Sequence, residues 1–261
     1  MAALETPPRP SLWTDTLVLA GRQVRLMARS PQTLVLTAIF PLILLCLLSV
    51  SFATVVMPGA GYAAYVDYTV PLFATMGITF ATLSTAIAAH ADRTSGFDDR
   101  LHTLPISPLA PLAGRILADT IRNLATVLVV TVAGVALGFR FTEGLLGVAG
   151  YLLVPLVYGF GLAWLMVAVS MAAKSAEAAV SALNALLLVA SFLSTGFVTH
   201  DDLPGWAQPI ASANPVSHVI GAMRGLAHGG EVAGDALSTL AWSLGLTVVC
   251  GLAAVRFTAR R

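Results

Sequence analysis
GLLGVAGYLLVPLVYGFGLAWLMVAVSMAA, residues 144–173, runs for thirty positions without one charged side chain. About 20 apolar residues are enough to cross the hydrocarbon core of a bilayer as a helix, and a somewhat longer run is accommodated by tilt or by a bend, here at Pro155. The run is continuous where barrel strands would alternate in polarity about every second residue over 10 positions, so a β-barrel is excluded. The reading is an all-α integral membrane protein.

Working outward, the same test finds five more spans. No charge occurs between Arg29 and Asp67, which places a first span at about 33–52. Tyr68–Ala89 gives the second (68–89); Asn123–Phe139 is charge-free and the third helix is expected to begin earlier, near Leu112 (about 112–139); 145–173 gives the fourth, 178–199 the fifth and 237–255 the sixth. Composition agrees, with 57% hydrophobic and only 10% charged residues against about 25% charged in soluble domains. Residues 1–11 are expected to be a disordered tail ahead of a single transmembrane domain, 12–261. Cys46 and Cys250 lie inside apolar runs and serve as small hydrophobes.

Between the fifth and sixth spans, residues 200–231 carry Pro204, Pro209 and Pro215 yet remain mildly apolar. That pattern is too broken to span and too apolar for an ordinary loop. A re-entrant hairpin fits, its irregular backbone shielded by protein. With the N-terminus inside, twelve of the fourteen Lys and Arg residues fall on the cytoplasmic side, and only Arg140 and Arg224 fall outside. The positive-inside rule therefore puts both termini in the cytoplasm. Tyr62, Tyr65 and Tyr68 are expected at the outer interface, where amphipathic rings settle.

The chain carries no G-x-x-x-x-G-K-[ST] loop, no H-E-x-x-H pair and no G-x-S-x-G elbow. It is therefore not read as an enzyme: no catalytic, cofactor or metal residue is assigned. His200 beside Asp201 and Asp202 reads as a solvated loop in preference to a metal site. Asp119 follows Arg115 by four residues and precedes Arg122 by three, so local ion pairing on one helical face is expected, with a proton pathway as the alternative. Any driving force for transport must come from a partner.

Two cytoplasmic segments suit such a partner. In residues 13–29, Trp13, Leu17, Ala20, Val24 and Met27 fall on one arc and Arg22, Arg25 and Arg29 opposite, an amphipathic helix for the inner leaflet. Between spans two and three, Ser95 and Asp98 form a capping box. Phe97, Leu101 and Leu104 line one face of the short helix that follows, and Pro105 and Pro108 end it.

The runs Arg93-Thr-Ser-Gly-Phe-Asp-Asp-Arg-Leu101, Leu104-Pro-Ile-Ser107 and Gly114-Arg-Ile-Leu-Ala-Asp119 resemble the cytoplasmic stretch of ABC-2 type permeases, and most closely the daunorubicin-resistance branch. So do Leu203-Pro-Gly-Trp206, Asn214-Pro215 and Ala222-Met-Arg-Gly-Leu226 in the outer segment. The resemblance implies six helices, an N-terminal connecting helix (Trp13, Leu17, Arg22, Arg25, Arg29), and a coupling helix to an ATPase (Gly96, Phe97, Asp98, Asp99, Arg100, Leu101, Leu104). It also implies a re-entrant outer segment holding Pro204, Trp206, Asn214, Pro215 and Arg224. It implies a permease dimer, homo- or heteromeric, bound to two ATPase subunits that hold the ATP and Mg. The implied cargo is hydrophobic drugs, antibiotics or lipids, exported across the bacterial plasma membrane. Asp98-Asp99 departs from the Glu next to Arg that many relatives carry. The competing reading is a structural or assembly subunit with no translocation path.

Overall fold
A computed structural model describes residues 11–29, 31–56, 59, 61–96, 103, 105–107, 109–173 and 175–259. The described residues form helices joined by turns, without strands: α1 Leu12–Arg29, α2 Pro31–Val56, α3 Gly61–Thr94, α4 Ala110–Leu137, α5 Gly144–Ala172, α6 Ala176–Phe192, α7 Gln208–Ala213, α8 Pro215–His228 and α9 Ala233–Ala259. In lipid this follows from the backbone, because a helix satisfies its own N–H and C=O groups where no water can.

Among the described residues, four helical stretches are long and apolar enough to cross a membrane: Gly61–Asp92, Ala110–Leu137, Gly144–Ala172 and Ala233–Arg256. Two shorter apolar stretches, Ile39–Ser51 and Glu177–Phe192, accompany them. α3 is the central column, with 78% of its apolar window buried against 28% for α9. It packs on α2, α4, α5, α6 and α8. Val70, Phe73, Met76 and Ile78 of α3 join Val130 of α4, Tyr158 of α5, Leu187 of α6 and Ile220 of α8 in one continuous core.

A buried helix rich in threonine needs partners for its hydroxyls. Thr69, Thr75, Thr79 and Thr82 each donate to the carbonyl four residues earlier, at 2.7–2.9 Å. Their polarity is thus absorbed within α3. Several helix pairs approach closely at glycines. A Cβ on Gly134 would meet Val70 at 2.7 Å, and one on Gly159 would meet Asn123 Nδ2 at 2.7 Å. Gly138 instead takes φ +119° and terminates α4 with left-handed backbone.

Two expectations change. α6 stops at Phe192, short of Thr199, and turns follow through Ser194 and Gly196. Tyr65 is 2% exposed and buried in the core, and Tyr68 is drawn inward under Arg224, so only Tyr62 of the three tyrosines is exposed. α1 packs on α4 through Thr16 and Ala20, while Trp13 stays 69% and Leu17 45% exposed.

Candidate functional site
The bundle has two ends. One carries α1, the end of α3 and the start of α4; the other carries the α7–α8 hairpin. Polar chemistry concentrates at both.

At the α1 end, α3 and α4 share a ladder of polar contacts. Arg122 Nη2 donates to Asp119 Oδ1 at 2.8 Å, the expected i, i+3 pair, with both side chains 5% exposed or less. Thr85 Oγ1 of α3 donates to Asp119 Oδ2 at 2.5 Å and accepts from Arg122 Nη2 at 3.0 Å, closing a three-residue knot. Arg115 departs from expectation: it leaves Asp119 and pairs with Asp92 near the end of α3. The reason is geometric, since Asp119 is already filled by Arg122 and Thr85 and Asp92 lies directly across the helix interface. One turn deeper, Asn123 Nδ2 reaches Thr82 Oγ1 at 3.4 Å, and Asn123 also abuts Gly159 of α5. Pairing makes these charges tolerable away from water, where an isolated one would be costly.

The same end holds the segment that joins α3 to α4. Asp92, two residues before the close of α3, is tied to Arg115, and the Ser107 N–H, three residues before α4, donates to Asp15 Oδ2 of α1 at 3.0 Å. Gly114 lets α1 lie directly on α4; a Cβ there would stand 2.9 Å from Leu19 Cβ and 3.1 Å from the Ala20 nitrogen. Gly96 takes φ +68°, the left-handed backbone that suits glycine as the chain leaves α3. Phe97, Asp98, Asp99, Arg100, Leu101 and Leu104 lie outside the described residues, as does the Asp98 half of the capping box. Ser95 Oγ donates to the Asp92 carbonyl at 3.1 Å. On α1, Arg22, Arg25 and Arg29 with Val18 and Leu26 line a shallow groove of about 230 Å³, and Arg25 Nε donates to Gly21 O at 3.1 Å.

At the hairpin end, Pro204 and Trp206 are exposed, Trp206 by 67%. Asn214 and Pro215 start α8. Asn214 Oδ1 accepts from Val216 N at 2.9 Å as the N-cap, and Pro215 occupies a first-turn position where no N–H is needed. Asn214 Nδ2 donates to the carbonyls of Ala190 (2.6 Å) and Leu193 (3.1 Å) at the truncated end of α6. Arg224 spends its donors on three backbone carbonyls: Nε on Tyr68 (3.0 Å), Nη1 on Thr195 (2.8 Å) and Nη2 on Gly196 (3.0 Å). Its guanidinium lies 3.4 Å over the Tyr68 ring. His218 Nδ1 meets Asp235 Oδ1 of α9 at 2.8 Å.

Among the described residues no group of three His, Cys, Asp or Glu is placed to hold a metal ion. His200 is exposed, with Nε2 3.0 Å from Ser212 Oγ. Sequence reasoning missed Asp92, Thr85, Asn123 and Ser217, because their partners are remote in the chain. The available signal for Asp92 was a carboxylate at the foot of the second span whose basic neighbour in sequence, at i+1 on a helix, does not share its face.

A helical body with apolar helices long enough to span a bilayer, a polar ladder at one end and a hairpin at the other defines the class: a multi-pass helical membrane protein. The ABC-2 type transporter model matches residues 14–227, and the chain belongs to that family. It is 33% identical over 241 residues to "Probable doxorubicin resistance ABC transporter permease protein DrrC" of Mycobacterium tuberculosis (strain ATCC 25618 / H37Rv), covering 91% of this chain and 86% of that one. It is 31% identical over 253 residues to "Daunorubicin resistance ABC transporter permease protein DrrB1" of Streptomyces coeruleorubidus, covering 95% and 87%. A third relative, "Doxorubicin resistance ABC transporter permease protein DrrB" of M. tuberculosis (strain CDC 1551 / Oshkosh), is 26% identical over 201 residues, 75% of this chain and 70% of that one. ABC-2 permeases are the non-catalytic subunits of their transporters; ATP hydrolysis sits in a separate ABC ATPase, and a second permease often completes the assembly.

Proposed function
We propose that this chain is the membrane-spanning subunit of an ATP-driven exporter of hydrophobic drugs, antibiotics or lipids. It crosses the bacterial plasma membrane six times, counting α2 and α6 as spans, with both termini and the α1 end in the cytoplasm. Two ATPase subunits, which hold the ATP and Mg, dock beneath a pair of permeases, homo- or heteromeric. The observation that carries the reading is the bracing of the segment between α3 and α4. The Arg115–Asp92 pair grips it upstream and the Asp15–Ser107 bond downstream. A loop fixed to three helices at its two feet transmits force; a slack loop would absorb it. The drug-resistance permeases among the relatives support the cargo class.

In this mechanism, ATP binding closes the ATPases and displaces the segment holding Gly96, Phe97, Asp98, Asp99, Arg100, Leu101 and Leu104. The Asp92–Arg115 tie and the Thr85–Asp119–Arg122 knot make α3 and α4 move together, and Asn123 against Gly159 passes the displacement to α5. A passage between the two permeases then turns from inward- to outward-facing. Trp13 and Leu17 of α1 rest in the inner leaflet, with Arg22, Arg25 and Arg29 among its headgroups and at the ATPase surface.

Phe97→Ala with Arg100→Glu tests the coupling assignment. The double variant is expected to insert and fold normally yet to lose ATP-dependent drug efflux and copurification of the ATPase. Full efflux with normal ATPase association would remove the coupling role from this segment.

A further inference from the structure
α6 ends early, and the hairpin completes it. The carbonyls of Ala190 and Leu193 are held by Asn214, and those of Thr195 and Gly196 by Arg224. Thr195 N donates to Ser217 Oγ at 3.2 Å, and Tyr68 Oη donates to Thr195 O at 2.9 Å. Among the described residues Arg224 has no ion pair; its charge rests on carbonyl dipoles and the Tyr68 ring. α8 itself is wedged into the outer half of the bundle, with Val219, Ile220 and Met223 fully buried. The Met223 sulfur lies 3.6 Å from the Thr75 hydroxyl oxygen of α3.

Parting α8 from α6 and α3 would therefore strand several carbonyls and one guanidinium. In an apolar setting that is prohibitive, and water entering the gap removes the penalty. The seam is stable in two states, dry and shut or wet and parted, and a half-open dry seam is unfavourable. Cargo leaving through the outer half needs the wet state.

We propose that Arg224 is a positioning residue that latches the re-entrant hairpin shut against α3 and α6, and that the seam between Thr195 and Ser217 parts in each export cycle. The proposal rests on the transport reading above.

The test staples the seam. Thr195→Cys and Ser217→Cys are introduced together with Cys46→Ala and Cys250→Ala, and the permease is reconstituted with its ATPase in vesicles. Oxidation is expected to cross-link the pair and reduce ATP-dependent doxorubicin transport to the ATP-free level, and dithiothreitol is expected to restore it. Undiminished transport by the cross-linked protein would overturn the latch, and so would failure of the pair to cross-link. Maleimide labelling of the single thiol introduced by Ser217→Cys, in the same Cys46→Ala, Cys250→Ala background, reads the seam without cargo. Labelling is expected to rise when ATP is added, and by about tenfold without ATP in Arg224→Gln, the scale of one lost charged hydrogen bond, with partial rescue in Arg224→Lys. Equal labelling in all of these would overturn the assignment. If the unstapled complex moves no drug, the transport reading fails, while the labelling still decides whether the seam opens.

Discussion
Asp119→Leu removes the centre of the knot that joins α3 to α4. Arg122, 5% exposed at its side chain, would lose the carboxylate at 2.8 Å and keep only Thr85 Oγ1 at 3.0 Å. Breaking a buried pair by removing one partner costs about 3–5 kcal/mol, because the remaining charge is uncompensated. Removing both charges with apolar groups of similar length, Asp119→Leu with Arg122→Met, is expected to cost less than about 1 kcal/mol. The coupling energy of the cycle is then at least about 2 kcal/mol, well above the few tenths within which independent sites add. Denaturant unfolding of the purified permease in detergent gives all four stabilities. If Asp119→Leu alone cost under about 1 kcal/mol, or if the double variant were as unstable as the sum of the singles, the knot would not hold α3 to α4.

Gly147→Ala is expected to destabilise by about 1–3 kcal/mol, since its Cβ would collide with the Leu226 backbone oxygen. Gly245→Ala, with open space around it, should be neutral or slightly stabilising in the same unfolding assay. Asn214→Ala strips the α8 cap and frees the carbonyls of Ala190 and Leu193, for a loss of about 1–3 kcal/mol. Asn214→Asp, which can cap but sets a buried carboxylate oxygen against the two carbonyls, should be at least as destabilising as Asn214→Ala.

The spanning helices were legible because lipid imposes one rule, a long uncharged run, and residues 144–173 obey it without exception. The Asp119–Arg122 pair was legible too, since an i, i+3 spacing is local to one helix. Contacts that depend on which helices become neighbours were not. Arg115 has an acceptable partner four residues along its own chain, and only the α3–α4 interface reveals the better one, Asp92. The end of α6 at Phe192 was hidden for a similar reason. Residues 193–199 are apolar enough to continue a helix, and the chain turns because Asn214 and Arg224 are present to satisfy the freed carbonyls. Arg224 carried a faint signal: a lone arginine between Met223 and Leu226 in a segment otherwise fit for burial.

The most direct measurement is drug uptake into inside-out vesicles containing the purified permease, with and without its ABC ATPase. ATP-dependent accumulation is expected only when the ATPase is present and able to hydrolyse ATP. Concentrative uptake by the permease alone, with no nucleotide-hydrolysing companion, would contradict the proposal that this chain is driven from its cytoplasmic surface.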